Sequence, residues 1–335
     1  MPDLTERFFA HPLTILKNYS ICPPDTIAGN IGKAADDIDT SALPSNLPND
    51  NQPKSLRYAR MMSSSKIGYI ELYKDKTQDR MINKEGIDAI RFRCSYKQTD
   101  YPASQPVWFL PWQPGSIIRL TIPAAGVNNP DPDIFFTAAI NGCSVLVQGT
   151  AQNPTIYHGG GDTGRSDHDE AAMFWRQALR KHIADSASAA LRGPILAEVN
   201  KTDYIKTQGS LTRPVSLQAT KGTFGTKIVA TPDTKQYGTT PRAIAYQEWL
   251  EQELNRKGSF QVQTVSPWGC VMGVRTGGNW AFYLQENATV VCDIVSKKTV
   301  VTRCYSRPMA LRQIFPGGGG TVNMRQGVPT GIPAM

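Results

Sequence analysis

The sequence predicts an α+β fold, built as a mostly antiparallel β-sandwich with helices packed outside it. The first observation is composition: 28 glycines and 24 prolines among 335 residues favour many turns, which is typical of β-rich proteins. The second is a series of short segments with alternating, β-branched or aromatic residues, separated by turn residues. The third is that only two segments carry firm helix boundaries, too few to alternate with the strands in a doubly wound sheet.

The predicted domain organisation has three parts: an N-terminal segment and linker at 1–57, a β-sandwich domain at 58–315, and an irregular tail rich in Gly and Pro at 316–335. The first part combines a short helix, Leu4 to Leu16, with an exposed loop from Asp36 to Pro53 that is rich in Asp, Ser, Pro and Asn.

The predicted strands fall into two groups, before and after the helices. They span 67–73, 90–94, 107–110 and 116–122, and then 260–265, 270–274, 280–284, 289–295 and 299–304. Lys297-Lys298 fits an exposed hairpin tip between the last two strands.

Two helices are predicted from their ends. The first runs from about Asp167 to Leu191, with Ser166 and Asp169 as a capping box and Gly193-Pro194 as its stop. The second runs from Pro241 to Lys257, since Thr240 suits an N-cap and proline suits the first helical position.

Charge and cysteine usage exclude several functional classes. The net charge of +8 comes from dispersed basic residues, so nucleic acid is not predicted as a partner, whereas steering toward an acidic protein is compatible with it. No apolar run reaches the ~20 residues of a membrane span. The six cysteines form no C-x-x-C pair, and neither metal nor cofactor is predicted. The N-terminus lacks the apolar stretch of a Sec signal, which predicts synthesis in a reducing cytoplasm.

The segment 135–161 carries the most informative chemistry and reads as strand, turn and strand. A hairpin symmetric about Thr150 and Ala151 places Cys143 directly opposite His158, where Cβ atoms lie ~4.5–5.5 Å apart. The same face carries apolar residues that exclude water: Val145, Val147 and Ile156.

A thiol beside an imidazole suits nucleophilic attack on a carboxamide or acyl carbon, because the imidazole takes the thiol proton and stabilises the thiolate. The resulting oxyanion needs donors. The turn residues Asn141-Gly142 leave the backbone N–H of Cys143 uncrowded, and Gly159, in a run of three glycines after His158, is predicted to keep the pocket open. The alternative is that Cys143 is a small core residue and His158 a surface residue.

The run Ile140-Asn141-Gly142-Cys143, with His158 fifteen positions later, resembles the active-site segment of the cytotoxic necrotizing factor catalytic domain and of Burkholderia lethal factor. Those toxins carry an aliphatic-Ser-Gly-Cys motif followed by a histidine, and Asn141 departs from it where they have Ser. The resemblance covers about thirty residues. It implies a β-sandwich with outer helices, Cys143 as nucleophile, His158 as general base and Thr137 as a third active-site residue that orients His158.

The resemblance further implies a secreted bacterial toxin or effector that deamidates a glutamine of a host protein. Such a protein is made in the bacterial cytoplasm without a Sec signal, meets a secretion chaperone or machine through its N-terminal segment, and acts in the host cytoplasm. Three alternatives stay open: a transglutaminase, a cysteine protease on the same site, and a non-enzymatic host-binding protein.

Overall fold

The computed structural model describes residues 3–24, 34–39, 58–63, 67–74, 89–160, 168–185, 193–204, 217–222, 225–230, 259–296, 299–317 and 321–322. Its helices are α1 (Leu4–Ala10), α2 (Pro12–Asn18), α3 (His168–Asp185) and α4 (Lys201–Tyr204), with a 3-10 turn at Gln98–Asp100. None of the helices in these ranges is long and apolar enough to cross a membrane.

The chain is dominated by strands. They are β1 (Ser20–Cys22), β2 (Ala34–Asp39), β3 (Tyr58–Ser63), β4 (Ile67–Lys74), β5 (Ala89–Ser95), β6 (Gln105–Leu110), β7 (Ser116–Thr121), β8 (Ile134–Thr137), β9 (Ser144–Gly149), β10 (Pro154–Gly160), β11 (Ile195–Val199), β12 (Leu217–Gly222), β13 (Gly225–Ala230), β14 (Ser259–Thr276), β15 (Asn279–Ser296), β16 (Thr299–Phe315) and β17 (Thr321–Val322).

The strands form one large mixed sheet and a second, mostly antiparallel sheet, which makes the fold a β-rich α+β fold. The large sheet has the order β1-β5-β4-β6-β8-β14-β15-β16-β17, and the second has the order β11-β9-β10-β7-β3-β2. Strands β12 and β13 pair as a separate hairpin. The pairs β1–β5, β6–β8 and β3–β7 are parallel.

Three apolar clusters organise the described residues. The first contains side chains of both sheets, including Ile118, Val145 and Ile156 from the second sheet and Phe135 and Leu284 from the large one. The second packs α1, α2 and β1 against the other face of the large sheet. The third packs α3 against the second sheet. The second sheet therefore lies between α3 on one face and the large sheet on the other.

Residues of the N-terminal segment contribute to the core. Phe8, Leu16 and Ile21 are fully buried in the second cluster. The side chain of Gln285 on β15 donates to the carbonyls of Leu16 and Tyr19 at 2.7 and 2.8 Å. The division of the chain at residues 57 and 316 stays a prediction.

The first predicted helix, Leu4 to Leu16, is interrupted at His11. This residue has φ −142° and ψ 60°, and α2 begins at Pro12. A proline disfavours helical geometry in the residue before it and suits the first position of a new helix, which accounts for the break.

The predicted loop from Asp36 to Pro53 is wrong at its start, because residues 36–39 belong to β2. This strand pairs with β3 at the edge of the second sheet, and an edge position tolerates a run of acidic residues. Residues 40–53 lie outside the described ranges.

The four strands predicted before the central hairpin are confirmed as β4, β5, β6 and β7. After it, the segments 260–265 and 270–274 are one strand, β14, and 280–284 and 289–295 are one strand, β15. Continuous pairing of β14 with β15 carries the strand through Pro267 and Gly269, so the sheet overrides these local turn signals. Ser296 pairs with Thr299, and the predicted tip Lys297-Lys298 between them lies outside the described residues.

Helix α3 confirms the predicted helix over His168–Asp185. Its predicted capping residue Ser166 and the segment 186–191 lie outside the described ranges, as does the whole predicted helix from Pro241 to Lys257.

Candidate functional site

The hairpin of β9 and β10 carries both residues of the predicted pair. Its four-residue loop, 150–153, is closed by the N–H of Thr150, which donates to the carbonyl of Asn153 at 3.3 Å. The N–H of Asn153 donates to the Thr150 hydroxyl at 3.1 Å. Gly149 begins the turn with φ +90°, a conformation that favours glycine.

The predicted direct opposition of Cys143 and His158 is wrong by two residues. His158 pairs with Val145, and Pro154 pairs with Gly149, because the loop is centred later in the chain than Thr150 and Ala151. A shift of two residues preserves the face of the sheet on which a side chain lies. Cys143 and His158 therefore share one face as diagonal neighbours, positions that are typically ~7–8 Å apart.

Cys143 lies just before β9, alongside Gly160 at the end of β10. The thiol lies over this glycine, since a Cβ added to Gly160 would meet Cys143 Sγ at 2.6 Å. The same added Cβ would meet Trp112 Nε1 at 2.3 Å. Gly160 thus leaves the space in which the thiol and the indole edge approach one another. The whole Cys143 residue is only 6% exposed.

His158 is fully buried on β10, between Val145 on β9 and Ile118 on β7. Burial lowers the pKa of its imidazole to about 3, although the carbonyls of Leu110 and Pro111 favour the protonated ring. Neither ring nitrogen makes a well-aligned hydrogen bond within the described residues. His158 is therefore neutral at pH 7 and has the capacity to accept a proton.

Thr137 is fully buried at the end of β8, next to Leu110 on β6. Its hydroxyl accepts a hydrogen bond from the N–H of Val271 at 3.1 Å and so ties β8 to β14. No hydrogen bond joins Thr137 to His158 in the described part of the chain. The structure places a carbonyl of its strand neighbour Leu110, rather than the Thr137 hydroxyl, at the imidazole.

The turn before the thiol is held by Tyr204, which sequence reasoning did not identify. Asn141 is exposed, and Gly142 has φ +103°, as expected for a turn glycine. The N–H of Gly142 donates to the Tyr204 hydroxyl at 2.8 Å, and this hydroxyl donates to the carbonyl of Cys143 at 3.1 Å. Burial, and secondarily Cys143, raises the pKa of Tyr204 well above its ordinary value, so the phenol stays protonated.

A polar network behind the turn connects the segment that carries Tyr204 to the hairpin. The hydroxyl of Ser144 donates to Asn200 Oδ1 at 2.8 Å, and Asn200 Nδ2 donates to Glu198 at 2.7 Å. Glu198 pairs in turn with Arg176 on α3 at 2.6 Å. These contacts link α3, β11 and β9, and they hold the Cys143 turn from the side opposite the thiol.

The predicted role of Gly159 in opening the pocket is wrong, because this residue faces the other side of the sheet. Gly159 pairs with Ser144, and a Cβ added to it would meet the ring of Trp175 on α3 at 3.3 Å. It therefore permits close packing of the helix. Side chains alternate between the faces of a strand, so the next glycine, Gly160, is the one beside the thiol.

Two further cysteines with buried thiols carry no such surroundings. Burial raises the pKa of Cys270 strongly and that of Cys94 to about 12. The sulfur of Cys270 lies 3.7 Å from the side-chain oxygen of Gln285, within the second apolar cluster. Among the residues that the structure describes, no three His, Cys, Asp or Glu side chains cluster as metal ligands do.

The arrangement can present a thiol, a neutral imidazole and an indole N–H to one bound carbonyl group. Local sequence signals identified Cys143 and His158, whereas Tyr204 and Trp112 are distant in sequence and gave none. The Pro111-Trp112 pair directly after a strand was the signal available for Trp112, since such a position lies at a sheet end.

Comparison with known proteins adds no relative: no family model and no curated protein matches this chain.

Proposed function

We propose that this protein is a cysteine-dependent glutamine deamidase, a secreted bacterial effector that acts on a host protein. The observation that carries the proposal is the shared face of the β9–β10 hairpin, on which Cys143 and His158 are diagonal neighbours. Gly160 supports it further, because a residue without a side chain leaves room beside the thiol. The Gly142-Cys143 turn, with its positive φ, matches the resemblance to the necrotizing factor segment.

The fold that belongs to this proposal is a β-sandwich with helices outside. Its support is the apolar cluster that contains side chains of both sheets, together with α3 on the outer face of the second sheet. A sandwich of this kind places the nucleophile at the end of a strand, where a loop opens the edge of the core.

The proposed reaction has two halves. Cys143 Sγ forms a bond to the carboxamide carbon while its proton passes to His158, and the carbonyl electrons move onto the oxygen. Collapse of this intermediate breaks the C–N bond, and His158 returns the proton to the departing ammonia. Water then hydrolyses the thioester with His158 as base, which leaves glutamate and the free thiol.

Burial of the pair sets a requirement on this reaction. His158 is deprotonated at pH 7, as a base must be, but a pKa of about 3 makes it a weak base in the closed site. Admission of a glutamine side chain has to open the site, because Cys143 is 6% exposed and His158 is fully buried. Contact with water or with the carboxamide then raises the basicity of the ring.

The same burial favours a second candidate, a non-enzymatic host-binding protein in which Cys143 and His158 are core residues. Buried cysteines are most often small apolar residues, and a buried neutral histidine needs no catalytic role. A transglutaminase or cysteine protease on the same site differs from the first proposal in the acceptor or in the bond that breaks.

The experiment compares glutamine-to-glutamate conversion in a mammalian cytosolic extract after incubation with wild type, Cys143→Ala and His158→Ala. Cys270→Ala is the matched control, since it removes another buried thiol. Peptide mass spectrometry is expected to find conversions with wild type and Cys270→Ala alone. Equal conversion with Cys143→Ala overturns the deamidase. Amine incorporation or backbone cleavage that depends on Cys143 assigns one of the alternatives instead.

A further inference from the structure

The side chain of Trp112 presents an unused hydrogen-bond donor inside the protein. Trp112 is half-buried, and its Nε1 is shielded from solvent without a hydrogen-bond partner among the described residues. An indole N–H usually finds an acceptor when it is buried, because leaving it unpaired costs free energy. A donor left in this state is available to a ligand that brings its own acceptor.

This donor is aimed at the thiol. Trp112 Nε1 and Cys143 Sγ are the two nearest polar atoms to the vacant Cβ position of Gly160, at 2.3 and 2.6 Å. The loop that carries Trp112 is tied to the same glycine, since the N–H of Gly115 donates to the carbonyl of Gly160 at 2.9 Å. The same loop brings the carbonyls of Leu110 and Pro111 to His158.

The turn that carries the thiol cannot supply a second donor from Gly142. The N–H of Gly142 donates to Tyr204 at 2.8 Å, and the Tyr204 hydroxyl donates to the carbonyl of Cys143 at 3.1 Å. An oxyanion formed on a carbon bonded to Cys143 Sγ needs donors at 2.7–3.1 Å from the oxygen. The side chain of Trp112 is the unpartnered donor nearest to the place where that oxygen forms.

We propose that Trp112 is a catalytic residue whose indole N–H donates to the carboxamide oxygen of the substrate. The inference rests on the proposed function. As the bond between Cys143 Sγ and the carboxamide carbon forms, the thiol proton passes to His158 and the carbonyl electron pair moves onto oxygen. That oxygen accepts the hydrogen bond of Trp112 Nε1, and the contact is released when the C–N bond breaks and ammonia departs with the proton.

The test uses a short peptide in which a glutamine side chain ends in an aldehyde instead of a carboxamide. A thiol adds reversibly to an aldehyde, and the product places an oxygen where the oxyanion forms. Protection of Cys143 against methyl methanethiosulfonate, followed by mass spectrometry, measures the binding. This reagent transfers a thiol group without forming an oxyanion, so its rate in the absence of aldehyde reports access to Cys143 alone.

Trp112→Phe is expected to raise the aldehyde concentration needed for half protection by about 10–100-fold, while the unprotected modification rate changes less than threefold. Trp175→Phe is the matched control, because Trp175 Nε1 is also buried without a partner but lies against Gly159 on the opposite face. It should leave protection unchanged. Trp112→His, which restores a ring N–H, should recover part of the loss, and Gly160→Ala should reproduce it by displacing the indole edge.

Equal protection of wild type and Trp112→Phe overturns the role of Trp112 and leaves the deamidase proposal standing. If Trp112→Phe fails to fold, equal protection of wild type and Gly160→Ala overturns it in the same way. Absence of protection in wild type, with Cys143 still modified by the reagent, overturns both proposals.

Discussion

Cys143 lies over Gly160, and a Cβ at residue 160 would come within 2.6 Å of the sulfur. This relationship links the sequence pattern to the site, because the run of glycines after His158 has two different functions on the two faces of one strand. Gly160 makes room for the thiol and the indole of Trp112, whereas Gly159 makes room for Trp175 on α3.

Substitution of the two glycines should therefore have different consequences. Gly160→Ala inserts a methyl group against Cys143 and Trp112, and overpacking of this kind costs about 1–3 kcal/mol. Gly159→Ala meets the Trp175 ring at 3.3 Å, which a small shift of α3 relieves. We expect Gly160→Ala to lower the rate of Cys143 modification at least tenfold and Gly159→Ala to leave it within threefold of wild type. Similar rates in the two variants contradict this account.

Burial of His158 predicts a loss of stability in acid. The ring titrates near pH 6.5 when unfolded and near pH 3 when folded, so the unfolded chain binds one more proton between these values. The contribution of the neutral ring is fully present above pH 6.5 and declines as pH falls toward 3, by up to ~1.4 kcal/mol per pH unit.

Urea unfolding of wild type and His158→Gln at several pH values measures this contribution. The free energy of unfolding of wild type should fall more steeply with decreasing pH than that of the variant. Parallel curves between pH 6.5 and pH 4 show that His158 is protonated in the folded protein, against the structure.

Removal of the Tyr204 hydroxyl should loosen the turn that carries the thiol. Tyr204→Phe leaves the N–H of Gly142 and the carbonyl of Cys143 without their partner, which costs about 1–3 kcal/mol. We expect faster hydrogen exchange at Gly142 and a lower rate of glutamine conversion. Tyr157→Phe is the matched control, since its hydroxyl donates to Gln148 at 2.7 Å on the other face of the hairpin. Unchanged exchange at Gly142 refutes the positioning role.

The network behind the turn predicts a dependence on Asn200. This side chain accepts from Ser144 and donates to Glu198, so Asn200→Ala breaks the link between β9 and β11. We expect a lower melting temperature and a lower rate of glutamine conversion. Arg312→Ala, which removes a half-buried ion pair with Asp203 at 3.3 Å, should affect stability less because exposed pairs contribute little. A larger effect of Arg312→Ala contradicts this ranking.

The sequence predicted the elements that depend on local pattern. Alternation placed β4 and β7, and capping and breaking residues placed α3, because these signals act within a few residues. The alternation of the hairpin also placed Cys143 and His158 on one face. The exact register escaped prediction, since it depends on loop contacts that reach as far as Trp280, whose N–H donates to Ala151 at 2.7 Å.

The parts of the site that come from distant segments could not be predicted from pattern. Tyr204 contacts the Cys143 turn from a helix sixty-one residues away, and nothing around either residue encodes this contact. The environment of His158 likewise follows from tertiary burial, which lowers the pKa of its ring, whereas the position of a histidine beside glycines favoured an exposed residue.

The isotope content of newly formed glutamates tests the central claim most directly. In extract made up in ¹⁸O-labelled water, hydrolysis of a thioester on Cys143 places one ¹⁸O atom in each glutamate that replaces a glutamine. The account predicts such glutamates with wild type and Cys270→Ala, and none above background with Cys143→Ala or His158→Ala. Labelled glutamates formed equally well without the Cys143 thiol, or no labelled glutamates with wild type, would contradict it.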